Sequence, residues 1–263
     1  MKPVYAIGDI HGQKHMLDHA LALIAADGGE DAQIVFLGDY TDRGPNSRAV
    51  IETLIGGRDA GRNWHFVKGN HDRMFARFIR DGQEHDPRVK SGISWLNPRL
   101  GGAQTLDSYD LHGAMHFADK TDNGREYLAH FEGVTGRIDK HAFTRLAREA
   151  VPEAHLEFLE GLPHLHQNDD LIFVHAGLQM RLPLELQDPD DLLWIRDEFL
   201  ESKIDYGKLI VHGHTALDYP QHNGNRVNLD GGAGHGRALV PAVFEGRDCW
   251  LITDQGRVAL DPA

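Results

Sequence analysis

The chain of 263 residues contains a single cysteine, Cys249. One cysteine excludes an internal disulfide and any zinc cluster built from several thiolates, which is consistent with a reducing compartment. No apolar run approaches the roughly 20 residues that a membrane-spanning helix needs. The first strand-like run begins at Val4, which leaves no room for a signal peptide. The sequence therefore predicts a soluble, cytoplasmic protein without a membrane partner.

Basic residues are also scarce, because 27 lysines and arginines stand against 40 aspartates and glutamates. The resulting formal charge of −13 argues against a nucleic-acid partner bound through its phosphates. An anionic substrate would have to be attracted by positive charge concentrated at the site. The length is sufficient for one large domain, and no repeat or linker divides it, so a single domain over residues 1–263 is expected.

Short apolar runs that end in polar motifs are, by contrast, abundant. Gln33–Leu37 leads into Gly-Asp-Tyr-Thr-Asp-Arg-Gly at positions 38–44, and four other runs have the same layout: Val4–Ile7, Trp64–Lys68, Leu171–Val174 and Leu209–Val211. The polar residues at these five predicted strand ends are Asp9, His11, Asp39, Asn70, His175 and His214. One such histidine is usually structural, but five correlated strand ends are hard to attribute to chance. Oxygen and imidazole ligands without thiolate suit Mn, Fe or Zn.

Taken in order, the motifs GDIHG, GDYTDRG, GNHD, VHAG and HGHT resemble those of the calcineurin-like metallophosphoesterases. The Asp-Arg-Gly of the second motif is similar to the phosphoprotein-phosphatase branch, especially its small bacterial and phage members. The segment Asn228–Ala233 is similar to a late D-x-G-A motif of the family. The resemblance implies an α/β fold, a four-layer sandwich of two mixed sheets flanked by helices.

The hydrophobic pattern agrees with this fold. Residues 1–80 alternate strand and helix patterns, which predicts a parallel sheet, and closely spaced strands near the C-terminus predict hairpins. Residues 81–163 begin with a polar loop and continue with helical spacing, so a helical insertion is expected there. Two roles for the insertion remain open. It either shapes access to the substrate or only packs on the sheet edge.

The resemblance implies roles for the residues at the strand ends. Asp9 and His11 match the ligands of a first metal ion, Asp39 matches a carboxylate that bridges two ions, and Asn70, His175 and His214 match the ligands of the second. The implied cofactors are two divalent ions, Mn²⁺ by preference, with Fe or Zn as alternatives. Together they would hold a hydroxide for in-line attack on phosphorus.

Further residues match the family's substrate-binding and acid-base positions. Arg43 matches a phosphate-binding arginine, and Asn70 also faces the substrate. His71 would protonate the leaving alkoxide, while Asp42 would orient its imidazole and raise its pKa. Arg196 lies where small members carry a second phosphate-binding arginine, although a surface arginine at a helix start is the alternative.

Three functions follow from these observations. The first is a protein-serine/threonine phosphatase acting on phosphoproteins or phosphopeptides, the second a symmetrical dinucleoside tetraphosphate hydrolase, and the third a scaffold without activity. Asp42 favours the first, and the complete ligand set argues against the third. The basic residues of the insertion, which a tetraphosphate would need, form no compact cluster in sequence: Arg88, Lys90, Arg99, Arg125, Arg137, Lys140, Arg145 and Arg148. The oligomeric state is left open.

One residue departs from the branch pattern. Asp72 ends the third motif, GNHD, where the branch has glutamate. The carboxylate is one methylene shorter, so the contact that the glutamate makes must be rebuilt or lost.

Overall fold

Strands and helices alternate along the N-terminal part of the chain, as its sequence pattern predicts. The computed structural model describes residues 2–116, 127–131 and 134–263. The strands are β1 Val4–Ile7, β2 Gln33–Phe36, β3 Trp64–Phe66, β4 His112–His116, β5 Tyr127–Phe131, β6 Val134–Ile138, β7 Leu165–Gln167, β8 Leu171–Val174, β9 Leu209–His212, β10 Gln221–His222, β11 Arg226–Asn228, β12 Ala242–Glu245, β13 Asp248–Thr253 and β14 Gly256–Ala259. The α-helices are α1 Lys14–Gly28, α2 Ser47–Asp59, α3 Asn70–Asp81, α4 Gly102–Asp107, α5 Lys140–Ala150, α6 Glu153–Glu160, α7 Pro189–Trp194 and α8 Asp197–Leu200.

The first sheet has six strands in the order β14-β13-β12-β1-β2-β3. Its β1, β2 and β3 are parallel, because α1 and α2 connect them as crossover helices. The strands from β12 to β14 are antiparallel hairpins, and β12 also pairs antiparallel with β1. Both the parallel half and the C-terminal hairpins agree with the prediction from the sequence.

The second sheet has five strands in the order β10-β11-β9-β8-β7, with β8, β9 and β11 parallel. Successive side chains of β1 point to opposite faces of the sheet, and this alternation shows how the layers form. Val4 and Ala6 belong to the core between the two sheets, together with Phe173 and Val211 of the second sheet. Tyr5, on the opposite face of β1, packs into the core beneath the helices. The four-layer sandwich that the sequence predicts is therefore present.

The insertion, residues 81–163, contains more than the predicted helices. A polar loop, α4, α5 and α6 lie where they are expected, but β4, β5 and β6 form an additional antiparallel sheet. The prediction of a helical insertion omitted these strands. Their sequences explain the omission, since glycine and histidine interrupt any apolar alternation in His112–His116. Arg125 lies outside the described residues.

Aromatic packing fixes the insertion against α3. Trp95 is buried between Phe75 and Phe78 of that helix, with ring centroids 5.7 and 4.9 Å apart. Burying one such side chain stabilises the fold by roughly 1.5–3 kcal/mol. The same helix begins with Asn70 and His71, so this packing sets the insertion beside two predicted site residues. Within the described ranges, no helix is both long and apolar enough to cross a membrane.

Candidate active site

The carboxyl ends of the parallel strands of both sheets meet at one edge of the sandwich. The loops after β1, β2 and β3 approach the loops after β8 and β9 there, and direct hydrogen bonds join them. The backbone N–H of His214 donates to the Asp9 carboxylate at 3.1 Å, and the N–H of His71 donates to Asp39 Oδ1 at 2.9 Å. The six predicted ligand residues are all buried at this edge: Asp9, His11, Asp39, Asn70, His175 and His214. The structure thus brings the predicted set together.

Backbone strain is concentrated at the same place. Five of the predicted site residues have φ angles between +47° and +74°, namely His11, Asp39, Asp42, Arg43 and His214. A left-handed conformation costs an L-residue about 1–2 kcal/mol. Such outliers persist only where the surrounding structure enforces them, and they cluster at functional sites.

One group of candidate ligand atoms converges on Asn70. Its Oδ1 lies 2.8 Å from His175 Nε2 and 2.8 Å from His214 Nδ1. Because His175 Nδ1 lies 2.9 Å from the Leu37 carbonyl, Nδ1 must carry the proton that donates to it. Burial lowers the pKa of His175 to about 3, so its Nε2 is an unprotonated acceptor near pH 7. Two acceptors facing each other at 2.8 Å repel each other, and a cation coordinated by both would relieve that repulsion, so this donor set fits a metal ion.

A second group surrounds Asp39. Potential ligand atoms of Asp9, Asp39 and His175 lie within 4.8 Å of one another, and so do those of His11, Asp39 and His71. Asp39 Oδ2 is 3.5 Å from His11 Nε2, while Oδ1 is 3.4 Å from His175 Nε2. His11 Nδ1 donates to the Thr41 carbonyl at 2.8 Å, which leaves Nε2 as the acceptor. Asp39 is therefore the carboxylate shared by the set with Asp9 and His175 and the set with His11 and His71, as expected of a bridging ligand.

Bound cations would offset the unfavourable burial of the acidic ligands. Burial, together with the neighbouring charges of Asp230 and Asp39, raises the pKa of Asp9 well above its usual value. Burial and the charge of Asp72 do the same to the pKa of Asp39. A nearby cation favours the ionised carboxylate and opposes such shifts. Burial lowers the pKa of His11, so this imidazole also offers a lone pair at neutral pH.

Asp42 and His71 form a buried dyad beside these ligands. His71 Nδ1 donates to Asp42 Oδ2 at 2.6 Å, which is the contact that the sequence predicts. The predicted rise in the pKa of His71 is not observed, because burial and the Arg43 guanidinium lower that pKa well below its usual value. Burial also raises the pKa of Asp42 to about 7. Asp42 thus orients the ring, while the net electrostatic field keeps the ring neutral.

Two residues of the insertion complete the surroundings of Asp42, and neither contact was predicted from the sequence. Trp95 Nε1 donates to Asp42 Oδ2 at 2.8 Å, and Thr105 Oγ1 donates to Oδ1 at 2.7 Å. The nearest clue in the sequence is Gly101, where a Cβ atom would lie 2.1 Å from the backbone nitrogen of Arg43. The insertion therefore contacts the site and does not only pack on the sheet edge.

Arg43 points its guanidinium into the same space. Its Nη1 donates to His11 Nε2 at 2.7 Å, and its Nη2 donates to His71 Nε2 at 3.2 Å. A lone pair that accepts from arginine cannot also coordinate a cation. Ion binding by His11 would therefore release Nη1 for another acceptor, and a phosphate oxygen is well suited to a guanidinium.

Asp72 accounts for the departure from the usual motif. Its carboxylate accepts from the backbone N–H groups of Asp39 at 2.9 Å, Tyr40 at 2.9 Å and Gly69 at 3.0 Å. The side chain is fully buried, so these bonds tie the loop after β2 to the start of α3. The shorter side chain makes a contact of its own and fixes the strained conformation of Asp39.

A cavity of about 800 Å³ opens beside the buried ligands. Arg43, His71 and Arg196 line it, and Arg196 donates to Thr215 Oγ1 at 3.2 Å. Arg88 and Lys90 of the insertion line it as well. These cations are dispersed in the sequence and form no compact basic cluster there. Their convergence in the cavity was therefore not predicted. Arg196 takes the predicted position beside the site.

Comparison with known proteins identifies the family. The model of the calcineurin-like phosphoesterases matches residues 2–233, and the chain belongs to that family, whose members use binuclear divalent metal centres. Over 269 residues, 90% of this chain and 87% of the relative, it is 22% identical to "Bis(5'-nucleosyl)-tetraphosphatase PrpE [asymmetrical]" of Oceanobacillus iheyensis. Over 95 residues it is 42% identical to "Putative serine/threonine-protein phosphatase C27B7.6" of Caenorhabditis elegans, a match to 35% of this chain and 20% of that protein.

Among solved structures, a cold-active protein tyrosine phosphatase aligns with all of this chain and 79% of its own. The TM-score is 0.62 at 17% sequence identity, which establishes a shared fold. The names of these three proteins give three different substrate classes. The comparisons therefore establish a metallophosphoesterase, and they do not choose its substrate.

Proposed function

We propose that this chain is a phosphomonoester hydrolase that acts as a protein-serine/threonine phosphatase and depends on two divalent metal ions. The observation that carries the proposal is the buried Asp42–His71 pair beside Asp39, the carboxylate that two groups of potential ligand atoms share. Such a pair is useful where a leaving group needs a proton. The alkoxide of serine or threonine is a poor leaving group and has that need.

The proposed ligands are those that the sequence suggested. Asp9 and His11 would hold one ion, Asn70, His175 and His214 the other, and Asp39 both. This division follows the resemblance to the family, whereas the atoms that lie closest together group Asp9 with His175 and His11 with His71. Bound ions would supply a deprotonated water as nucleophile and would offset the negative charge of the phosphate. Mn²⁺ is our preferred ion because the donors are oxygens and imidazoles, and Fe or Zn would suit the same donors.

Each remaining residue has a defined task. Arg43 binds the phosphate oxygens, which the negative charge of the protein would otherwise repel. Arg196 adds a second cation at the cavity wall. The amide of Asn70 also lies at the cavity surface, where it can contact the substrate. His71 would donate a proton to the leaving oxygen from Nε2, because its Nδ1–H is committed to Asp42.

His71 is neutral in the present arrangement, since burial and Arg43 lower its pKa. A phosphate that enters with negative charge and draws Arg43 toward its oxygens would favour protonation of Nε2. The general acid is thus loaded when substrate binds, and Asp42 keeps the ring aimed at the same point.

A dinucleoside tetraphosphate hydrolase is the second candidate. The observation in its favour is that Arg88 and Lys90 line the cavity with Arg43 and Arg196, which provides cations beyond the scissile phosphate. Asp42 is the residue that favours a phosphomonoesterase, because the resemblance associates it with the phosphoprotein-phosphatase branch. The predicted cytoplasmic location and the predicted lack of a nucleic-acid partner stay predictions.

A substrate panel tests the proposal. The manganese-loaded protein is assayed for kcat/KM on phosphoserine, phosphothreonine and phosphotyrosine peptides, an aryl phosphate and diadenosine tetraphosphate. We expect the phosphoserine and phosphothreonine peptides to rank above diadenosine tetraphosphate, and His71→Asn to abolish most of that activity. If diadenosine tetraphosphate were the best substrate by about tenfold, equivalent to about 1.4 kcal/mol of transition-state binding, the assignment would be wrong.

A further inference from the structure

The cavity has a second group of cations on its outer wall. Arg88 and Lys90 lie on a turn of the insertion that Asp86 organises, since the N–H of Arg88 donates to Asp86 Oδ1 at 2.9 Å. Asp86 is buried, and its Oδ2 lies 3.3 Å from Arg73 and 3.2 Å from Arg77 of α3. The turn is therefore held against the helix that begins with the candidate ligand Asn70.

The opposite wall is fixed to the same helix. Arg73 also forms an ion pair with Asp190 at the start of α7, and its guanidinium lies 5.9 Å from the centre of the Trp194 ring. Trp194 in turn packs edge-on against His214 at 6.0 Å. One arginine thus sets the spacing between the two walls and the candidate metal ligands. The cavity is a fixed feature of the fold.

These walls carry three carboxylates as well as the two cations. Arg88 Nη2 lies 3.1 Å from Asp191 Oδ1 on the opposite wall. Asp197 and Glu198 also line the cavity, and Glu198 accepts a hydrogen bond from Gln179 at 2.9 Å. Lys90 is exposed and makes no ion pair or hydrogen bond with any residue in the described ranges. A free ammonium group and a guanidinium that Asp191 has already oriented therefore face the cavity beside the candidate metal ligands.

We propose that Arg88 and Lys90 form a second anion subsite. It would bind a negatively charged group, either a carboxylate or a further phosphate, on the part of the substrate attached to the scissile phosphate. This inference rests on the proposed function, because it places a phosphate ester at the buried ligands. In a protein with a formal charge of −13, such local cations select anionic substrates against an unfavourable overall field.

Binding of small phosphonates tests the subsite without turnover. Calorimetry on the manganese-loaded protein compares ω-phosphonocarboxylates of increasing chain length with alkylphosphonates of the same lengths. We expect the carboxylate to tighten binding by about fivefold at the length that spans the two subsites, a range typical of partly exposed charge pairs. The double variant Arg88→Gln/Lys90→Gln should lose this advantage and bind alkylphosphonates as the wild type does.

Two further variants sharpen the comparison. Arg145→Gln removes an arginine of α5 whose side chain is 71% exposed, and it should leave every affinity unchanged. Asp191→Asn removes the carboxylate that competes for Arg88, so binding of the phosphonocarboxylate should tighten. An equal loss for both ligand series in the double variant, or a weaker carboxylate interaction in Asp191→Asn, would overturn the subsite.

Kinetics then identify the source of the anion. The double variant is compared with the wild type on phosphoserine peptides with aspartate or alanine neighbours, on diadenosine tetraphosphate and on phenyl phosphate. A loss of about fivefold confined to the aspartate peptide would identify a carboxylate, and one confined to diadenosine tetraphosphate would identify a phosphate. A similar loss on phenyl phosphate would contradict the subsite. Absence of all turnover would refute the proposed function, while the phosphonate affinities would still decide the subsite.

Discussion

Replacement of Thr105 by valine should impair proton donation by His71 to the leaving group and spare the other steps of the reaction. The substitution keeps the shape of a fully buried side chain and removes the hydroxyl that donates to Asp42 Oδ1 at 2.7 Å. Asp42 would retain its bonds to His71 and Trp95. The lost bond stabilises the ionised carboxylate, so its absence should raise the pKa of Asp42.

The structure gives the expected magnitude. The pKa of Asp42 is about 7, so roughly half of the molecules carry the ionised carboxylate at pH 7. A hydrogen bond worth about 1.4 kcal/mol corresponds to one pKa unit, and its loss would leave about one molecule in eleven ionised. If only the ionised form orients His71 correctly, turnover limited by proton donation should fall about fivefold.

The assay compares leaving groups of different basicity. An alkyl phosphate needs the proton of His71 and should show the fivefold loss at pH 7, whereas p-nitrophenyl phosphate should be almost unaffected. At pH 9 the carboxylate is ionised in both proteins, so the difference should largely disappear. Thr105→Ser retains the hydroxyl and serves as the matched control. An equal loss on both substrates, or a loss independent of pH, would refute this role for Thr105.

Three further perturbations have defined outcomes. Asp72→Asn should lower the free energy of unfolding in urea by about 1–3 kcal/mol, because an amide cannot accept all three backbone N–H groups. Asp72→Glu should recover part of this loss. An unchanged free energy of unfolding in Asp72→Asn would contradict the hydrogen bonds from Asp72 to the loop of Asp39. His71→Asn should reduce kcat on alkyl phosphates by about 10²–10⁴-fold with unchanged metal content, and an emptied site would make His71 a ligand. In the metal-free protein, the free energy of unfolding of the wild type relative to His175→Gln should fall as pH falls from about 6.5 toward 3, because the unfolded chain protonates His175 first; a difference that does not change with pH would contradict the burial of His175 as a neutral ring.

Much of the fold could be predicted from sequence because its pattern is local. The apolar runs of β1, β2, β8 and β9 are followed at once by glycine and polar motifs, and parallel strands place these ends at one edge. The strands β4 to β6 could not be predicted, because pairing between strands stabilises them and glycine and histidine interrupt their apolar pattern.

The residues of the candidate site also differ in whether the local sequence predicts them. Ligand residues such as Asp39 and His175 stand in motifs at strand ends, so their convergence followed from the fold. Trp95 and Thr105 reach Asp42 from 53 and 63 residues away, and nothing in their local sequence marks the contact. The positive charge of Arg88 in the cavity likewise depends on the turn that buried Asp86 holds in place.

The proposed mechanism depends on two divalent ions held by two buried ligand groups that are joined through Asp39. Its most direct test is the number of manganese ions per chain after exhaustive dialysis, measured by mass spectrometry of the purified protein. We expect two ions in the wild type, about one in Asn70→Ala, and a loss from both positions in Asp39→Asn. A wild-type chain that retains no manganese, or an Asp39→Asn chain that retains two ions, would contradict it.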